Sequence, residues 1–168
     1  MDEIATIIAN ITEPYEKALV EAKKEIDRFV DSQCKILDEA VERILRHPDP
    51  ANISVMELER ACLEIPALIY RLEELLSSSQ LELDIADMLE KHVYQVLMKE
   101  TKGTVAEKQA VAFIGTEKFR IQAKLKEYYV NRLKNKRTMA EKVFDGVRKV
   151  LSVRINSFNV ARKDTLTS

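Results

Sequence analysis

The chain has 168 residues, of which 33% are charged, and it contains only three glycines and four prolines. Average usage would give roughly 12 glycines and 8 prolines, so turn-forming residues are too few for a many-stranded β fold. The composition predicts an all-α fold of long antiparallel helices, packed as a bundle with coiled-coil-like contacts, and helices of this kind favour oligomers.

The net charge of −1 conceals a division of charge along the chain. Residues 1–100 carry 22 Asp or Glu and 11 Lys or Arg, a net of −11, whereas residues 101–168 carry 6 and 16, a net of +10. We therefore distinguish an acidic N-terminal helical region, 1–102, from a basic C-terminal long-helix region, 103–168, and expect them to fold as one cooperative unit. The basic region is expected to meet either an external polyanion or the acidic region of its own chain.

Four Ser/Thr-x-x-Glu sequences predict helix starts, because the hydroxyl and the carboxylate of such a capping box reciprocally satisfy backbone N–H groups. The four capping boxes are Ser54/Glu57, Ser79/Glu82, Thr104/Glu107 and Thr138/Glu141. A fifth start is predicted at Thr12-Glu13-Pro14, since proline is tolerated in the first turn of a helix.

The predicted helices lie between these starts and the residues that end helices. They cover approximately residues 14–46, 55–76 with a kink at Pro66, 80–101, 104–135, and the residues from Thr138 onward. His47-Pro48-Asp49-Pro50 ends the first helix, because proline disfavours helix in the residue before it. The pattern leaves open whether residues 104–160 form one helix or two.

The strongest functional candidate is the basic, tyrosine-containing segment 118–137. At ~100° per residue, Arg120, Lys124 and Lys134 share one face, and most of the apolar residues lie opposite. Phosphates can lie along such a cationic face, and a tyrosine can stack on an unpaired base. The predicted nucleic-acid-binding residues are Lys118, Arg120, Lys124, Lys126, Tyr128, Arg132, Lys134, Lys136 and Arg137.

The same segment has two other interpretations. Its cations pair with carboxylates of the preceding helices or of another subunit, or they form an ordinary solvated face. Lys118 and Arg132 fall within the apolar arc, where a neighbouring carboxylate is favourable, and this favours pairing. Tyr128 is more typical of a helix core than of a platform for bases.

No catalytic or metal site is predicted. The residue types that could serve are present, but their spacing matches no known ligand or nucleophile motif. These residues are Asp84, Asp87, Glu90, His47, His92, Cys34 and Cys62. We expect a non-enzymatic protein without cofactor or metal.

The sequence also bears on location. It has no run of about 18 apolar residues, and its first residues lack the basic start of a signal peptide. Two cysteines without a pairing pattern suit a reducing compartment. We expect a cytoplasmic protein without membrane contact.

The second half of the chain resembles small helical proteins from the early regions of bacteriophages. The residues that carry the resemblance are Lys102–Glu107, Tyr128-Tyr129 and Val143–Ile155, and the match covers about residues 98–160 in spacing and hydrophobic type. Some of these proteins are similar to the recombination mediators of T-even-type phages, which form rings and help load a recombinase onto single-stranded DNA. The resemblance implies an accessory role in association with DNA and, if a phage encodes the chain, a location in the cytoplasm of the host cell.

Two hypotheses follow. In the first, a non-enzymatic phage accessory protein forms homo-oligomers and uses its basic C-terminal helix to bind single-stranded DNA, a recombinase or another DNA-processing protein. In the alternative, the chain is a helical interaction module or an inhibitor of a host defence or DNA-processing protein, and it acts through its acidic half.

Overall fold

A computed structural model describes the backbone of residues 2–49 and 52–166, and the side chains of residues 16–49 and 52–158. Over these residues the chain forms four helices and no strand: α1 (Asp2–Leu45), α2 (Val55–Glu100), α3 (Val105–Gly115) and α4 (Glu117–Leu166). The predicted all-α fold of long helices is confirmed.

Two of the predicted capping boxes begin helices. Before α2, the Ser54 N–H donates to the Glu57 carboxylate at 3.1 Å, and the Glu57 N–H donates to Ser54 Oγ at 3.2 Å. Thr104 and Glu107 exchange the same two hydrogen bonds before α3, at 2.7 and 3.3 Å. Gly103 precedes this second box with a φ of 131°, a conformation that side-chain-bearing residues rarely adopt.

Three other predicted helix starts were wrong, because they lie inside continuous helices. Ser79 is within α2, Thr138 is within α4, and α1 continues through Thr12-Glu13-Pro14. Neither glycine nor proline stands directly before Ser79 or Thr138, so nothing in the backbone prevents the helix from continuing. Pro14 lacks a backbone N–H and so removes one hydrogen bond from α1, but the helix continues through it.

The predicted segments 55–76 and 80–101 are consequently one helix. α2 runs through Pro66 and through the three serines before Gln80 without a break. Ser79 is only 5% exposed, so its packing within the helix outweighs the weak preference of serine for a cap.

The basic region forms two helices, and the break lies at Thr116 instead of Thr138. Thr116 is fully buried, and its hydroxyl donates to the Ala112 carbonyl at 2.8 Å. Gly115 precedes it, and a Cβ at that position would lie 2.5 Å from Leu97 Cδ1. The missing side chain therefore permits a close approach between α2 and α3 just before the break.

The chain divides into two compact units, and these differ from the division by charge. The first unit joins the residues up to Val30 with Leu76–Arg132, and the second joins Asp31–Leu75 with the residues from Leu133 onward. Each unit thus combines part of the acidic region 1–102 with part of the basic region 103–168.

In the first unit α2 and α4 run antiparallel, since Glu90 pairs with Arg120 and Glu82 pairs with Lys126. Many of the buried side chains are small, which lets helices approach one another closely. Among the described side chains of this unit, the buried residues are Val30, Leu76, Ser79, Leu83, Ala112, Thr116, Ala123 and Val130.

The second unit has the larger apolar core, and its buried residues follow a heptad spacing. Leu58, Ile65 and Leu72 of α2 lie seven residues apart, as do Leu133, Ala140 and Val147 of α4. α1 contributes Cys34, Leu37, Ala40 and Val41. This repeat is typical of coiled-coil packing, in which one side of each helix inserts between side chains of its neighbours.

Candidate interaction surfaces

The nine predicted nucleic-acid-binding residues all lie on the first half of α4. Six belong to the first unit, Lys118, Arg120, Lys124, Lys126, Tyr128 and Arg132, and three to the second, Lys134, Lys136 and Arg137. At least five of the eight cations among them form ion pairs with carboxylates of α1 or α2.

In the first unit three α4 cations reach acidic residues of other helices. Lys126 Nζ lies 2.6 Å from the Glu82 carboxylate of α2, and Arg132 Nε lies 2.7 Å from the Asp27 carboxylate of α1. Arg120 Nε donates to Glu90 of α2 at 3.1 Å. These three pairs therefore connect α4 to both neighbouring helices.

Arg120 makes two further contacts at the break between α3 and α4. Its Nη2 donates to the buried Thr116 hydroxyl at 3.2 Å, and its guanidinium carbon lies 4.0 Å from the centre of the Phe113 ring. A cation over an aromatic face is favourable, and the hydrogen bond fixes its direction. Arg120 thus stabilises the turn and has little freedom to contact a phosphate.

The hydroxyl of Tyr128 donates to the Asp27 carboxylate, at 3.0 and 3.1 Å to the two oxygens. This hydrogen bond to a carboxylate, together with some burial, raises the pKa of Tyr128. The Lys23 ammonium lies 5.4 Å from the centre of the Tyr128 ring. The polar end and one face of the ring are therefore engaged within the first unit.

In the second unit Lys136 lies between two carboxylates of α1, 2.9 Å from Asp31 and 2.5 Å from Asp38. Its side chain is only 19% exposed. Burial alone lowers the pKa of Lys136, but hydrogen bonds to Asp38 and Asp31 more than offset this effect, so its pKa is raised. Arg137 likewise pairs with Glu73 of α2 at 3.0 Å.

Three predicted cations are more accessible. Lys118 and Lys134 are exposed. The Lys124 side chain is 71% exposed, and it pairs at 2.7 Å with Glu127 of its own helix. Pairing with acidic neighbours, one of the interpretations of the sequence, thus describes most of the segment, and these three residues retain the most room for an external anion.

A groove of about 810 Å³ lies in the second unit between Cys62 of α2 and the second half of α4. Phe144, Leu151 and Ile155 line it with apolar surface. Arg148 and Lys149 also line the groove and are exposed, and we call these two cations its cationic edge and the three apolar residues its floor. The Arg148 guanidinium carbon lies 5.6 Å from the centre of the Phe144 ring.

This groove was not predicted from the sequence. Its apolar residues recur at spacings of seven and four, which on a helix indicates one continuous face. That spacing alone does not distinguish a face that packs against another helix from one that stays open, because the outcome depends on where α2 lies.

The described side chains contain no group of three or more His, Cys, Asp or Glu residues arranged to hold a metal ion. Of the acidic residues considered for such a site, Glu90 is paired with Arg120. Cys34 is buried in the second unit, and burial, followed by the charge of Asp38, raises the pKa of its thiol. A raised pKa opposes the thiolate form that nucleophilic chemistry needs.

Over its described residues the chain has no helix that is both long enough and apolar enough to cross a lipid bilayer. Comparison of the chain with protein-family models, curated proteins and solved structures finds no match. The resemblance to phage recombination mediators therefore stays a prediction, and the function has to be argued from the surfaces of the chain itself.

Proposed function

We propose that this protein is a non-enzymatic accessory protein that holds a partner protein through the groove of its second unit. The occupant is an amphipathic helix of the partner, with apolar residues on one side and carboxylates on the other. The combination of an apolar floor with a cationic edge in one groove carries this proposal. A recombinase or another DNA-processing protein, as predicted from the sequence, would bind by presenting such a helix.

The floor of the groove suits the apolar side of a helix. Phe144 and Leu151 are half-buried and Ile155 is 50% exposed, so all three keep surface that a partner can cover. Amphipathic helices commonly bind apolar grooves through anchors at positions i, i+3, i+4 and i+7.

The edge of the groove gives the preference for an acidic partner. Among the described residues that line the groove, the charged ones are two cations, Arg148 and Lys149, and one carboxylate, Asp145. Opposite charges across an interface raise the rate of association and disfavour partners of the wrong charge. A basic or neutral helix of equal apolar area would therefore bind more weakly.

Single-stranded DNA binding is the second candidate, and the exposure of five lysines along α4 favours it. Lys118, Lys124, Lys134, Lys142 and Lys149 are all exposed. If binding neutralises about five phosphates, a plot of log affinity against log salt concentration should have a slope of about −3.5, since each contact to a single strand contributes ~0.7. The α4 cations that pair with carboxylates of α1 and α2 would have to give up these partners to bind a phosphate. They therefore support DNA binding less well than the exposed lysines do.

The test uses two fluorescent probes with the full chain. One is an amphipathic peptide of roughly 20 residues, or between five and six helical turns, with leucines on one side and glutamates on the other. The second is an oligothymidylate of about 20 nucleotides, which is longer than the stretch that a single-strand-binding domain usually occupies. We expect the acidic peptide to bind and a peptide with lysines in place of the glutamates to bind at least about tenfold more weakly.

Two double variants assign the binding to the groove. R148E/K149E reverses the charge at the edge and should weaken peptide binding at least about tenfold. K24E/K35E makes the same change in charge at two exposed lysines of α1 and should leave binding unchanged. Equal binding of the two peptides, or equal loss in both variants, would contradict the proposal. Oligothymidylate binding with the steep salt slope and no peptide binding would favour the second candidate.

A further inference from the structure

α2 carries a second apolar face in the first unit, on the side away from its buried residues. Leu83 faces the core and is 9% exposed, whereas Leu81, Ile85 and Met88 are 62%, 55% and 70% exposed. Leu89 adjoins them and is 44% exposed. At 100° per residue these four lie within about 100° of one another and opposite Leu83. We call Leu81, Ile85, Met88 and Leu89 the outer face of α2.

The spacing of the outer face is that of a helix seam. Leu81, Ile85 and Met88 are separated by four and three residues, the spacing of the a and d positions of a heptad repeat. Isolated exposed apolar residues are ordinary on protein surfaces, but a contiguous apolar stripe indicates a binding surface. A seam of this kind is covered by another helix.

The charges beside the outer face indicate which helix covers it. Asp84 and Lys91 are exposed, lie on the same edge of the stripe, and are seven residues apart. When two identical helices pair antiparallel, this edge of one copy lies against the same edge of the other. Asp84 of each copy then lies opposite Lys91 of the other, so two ion pairs form. In a parallel pair Asp84 would lie opposite Leu89, and neither charge would gain a partner.

The apolar residues fit the same antiparallel alignment. With a two-fold axis between residues 86 and 87, Ile85 of each copy lies opposite Met88 of the other, and Leu81 lies opposite His92. The opposite edge places Glu82 against Leu89, and Glu82 is already paired with Lys126 of its own chain. Asp84 accepts a hydrogen bond from Gln80 of its own helix at 3.1 Å, an exposed contact that leaves its charge uncompensated. One alignment thus satisfies both the apolar seam and the charges of Asp84 and Lys91.

We propose that the outer face of α2 is a self-association surface on which two copies of this chain pair antiparallel. Eight side chains at roughly 60–120 Å² each would contribute about 500–1,000 Å² of apolar area. With the flanking residues included, this approaches the ~1,200 Å² at the lower end of stable interfaces. The association should accordingly depend on protein concentration. It involves other residues and another unit than the proposed partner groove, so either proposal can fail alone.

Sedimentation velocity of the full chain over roughly 1–100 µM, the range of weak dissociation constants, tests the pairing. The wild type should shift from monomer to dimer across this range. D84K and K91D should each raise the dissociation constant at least about tenfold, since each places like charges opposite one another twice. The double variant D84K/K91D should restore the wild-type value, because it recreates both pairs with reversed sign.

M88D tests the apolar seam, and M56D is its matched control. Both side chains point outward from α2, 70% and 76% exposed, so neither change should alter the helical circular dichroism signal. M88D should abolish the dimer, and M56D, in the other unit, should not. A wild type that stays monomeric to roughly 100 µM, a dimer that M88D leaves intact, or a charge-swapped double variant as weak as the single ones would each overturn the proposal.

Discussion

Lys136 and Lys124 are both basic residues of α4, but their surroundings give them different roles. Lys136 has a side chain 19% exposed and neutralises two carboxylates of another helix, Asp31 and Asp38. Lys124 is 71% exposed, and its partner Glu127 is on the same helix. Exposed pairs within a helix contribute little to stability, whereas removal of a buried partner leaves uncompensated charge.

We therefore expect Lys136→Ala to lower the free energy of unfolding by about 1–3 kcal/mol, below the range for fully buried pairs because Asp31 retains solvent contact. Lys124→Ala, its matched control, should leave the free energy of unfolding nearly unchanged. Urea unfolding followed by circular dichroism measures both. Equal effects of the two substitutions would show that Lys136 is not a structural ion pair.

Because the pKa of Lys136 is raised, its contribution to the free energy of unfolding depends on pH. A lysine whose pKa is higher in the folded protein stabilises it fully below the ordinary value of 10.5. The contribution is lost as the pH rises through the folded-state pKa. The difference in stability between the wild type and Lys136→Ala should therefore be constant near neutral pH and shrink in strongly alkaline solution.

The ion pairs of the basic residues show how far contacts of single side chains can be predicted from the sequence. Arg132 was predicted to favour a neighbouring carboxylate because it lies in the apolar arc of its helix, and it pairs with Asp27. Arg120 was assigned to the opposite, cationic face, yet it pairs with Glu90. The sequence gives the direction in which a side chain leaves its own helix, but the acidic residues it meets depend on how α2 is placed beside it.

At the scale of the helices, the capping boxes illustrate the same limit. Thr104 begins α3 because Gly103 turns the chain just before it, whereas Thr138 has the same local pattern and lies inside α4. A capping box is compatible with both situations, so a helix-breaking residue upstream decides: Gly103 before Thr104, and Pro48 before Ser54. The Gly115-Thr116 pair gave a signal for the actual break, but the burial of Thr116 that holds it in place is a tertiary effect.

The two threonines give a matched prediction. Thr104→Ala removes the hydroxyl that accepts from the Glu107 N–H, and loss of a cap of this kind costs about 1 kcal/mol. Thr138→Ala replaces an exposed threonine within a helix by the best helix former, so it should be neutral or stabilise by up to about 0.7 kcal/mol. Thermal unfolding compares the two variants. Destabilisation by Thr138→Ala equal to that by Thr104→Ala would argue for a helix start at Thr138.

At the scale of the whole molecule, the division of charge is a means of joining helices within each unit. α4 supplies cations to carboxylates of α1 and α2 in both units, through pairs such as Arg132 with Asp27 and Lys136 with Asp38. The net of −11 and the net of +10 therefore attract one another within one chain. All-α composition and long helices were predictable, but the two compact units were not, because their boundaries fall inside helices at Val30, Leu75 and Arg132.

This attraction predicts an unusual dependence of stability on salt. Between about 0.01 M and about 1 M NaCl the Debye length falls from ~30 Å to ~3 Å, so favourable interactions between exposed charges are screened. We expect the Tm to decrease by several degrees over this range, and a titration with choline chloride should give the same decrease if screening is the cause. A Tm that rises steadily with NaCl would show that repulsion within each charged region outweighs attraction between them.

The position of α4 in the chain has a consequence for biosynthesis. Both compact units need residues of α4, and a ribosome adds this 50-residue helix after the other three. At ~5–20 residues per second, several seconds pass in which the nascent α1 and α2 have neither their counter-charges nor their full apolar contacts. Neither unit can therefore be completed during early translation, and a nascent chain stalled before α4 would be a natural client for chaperones.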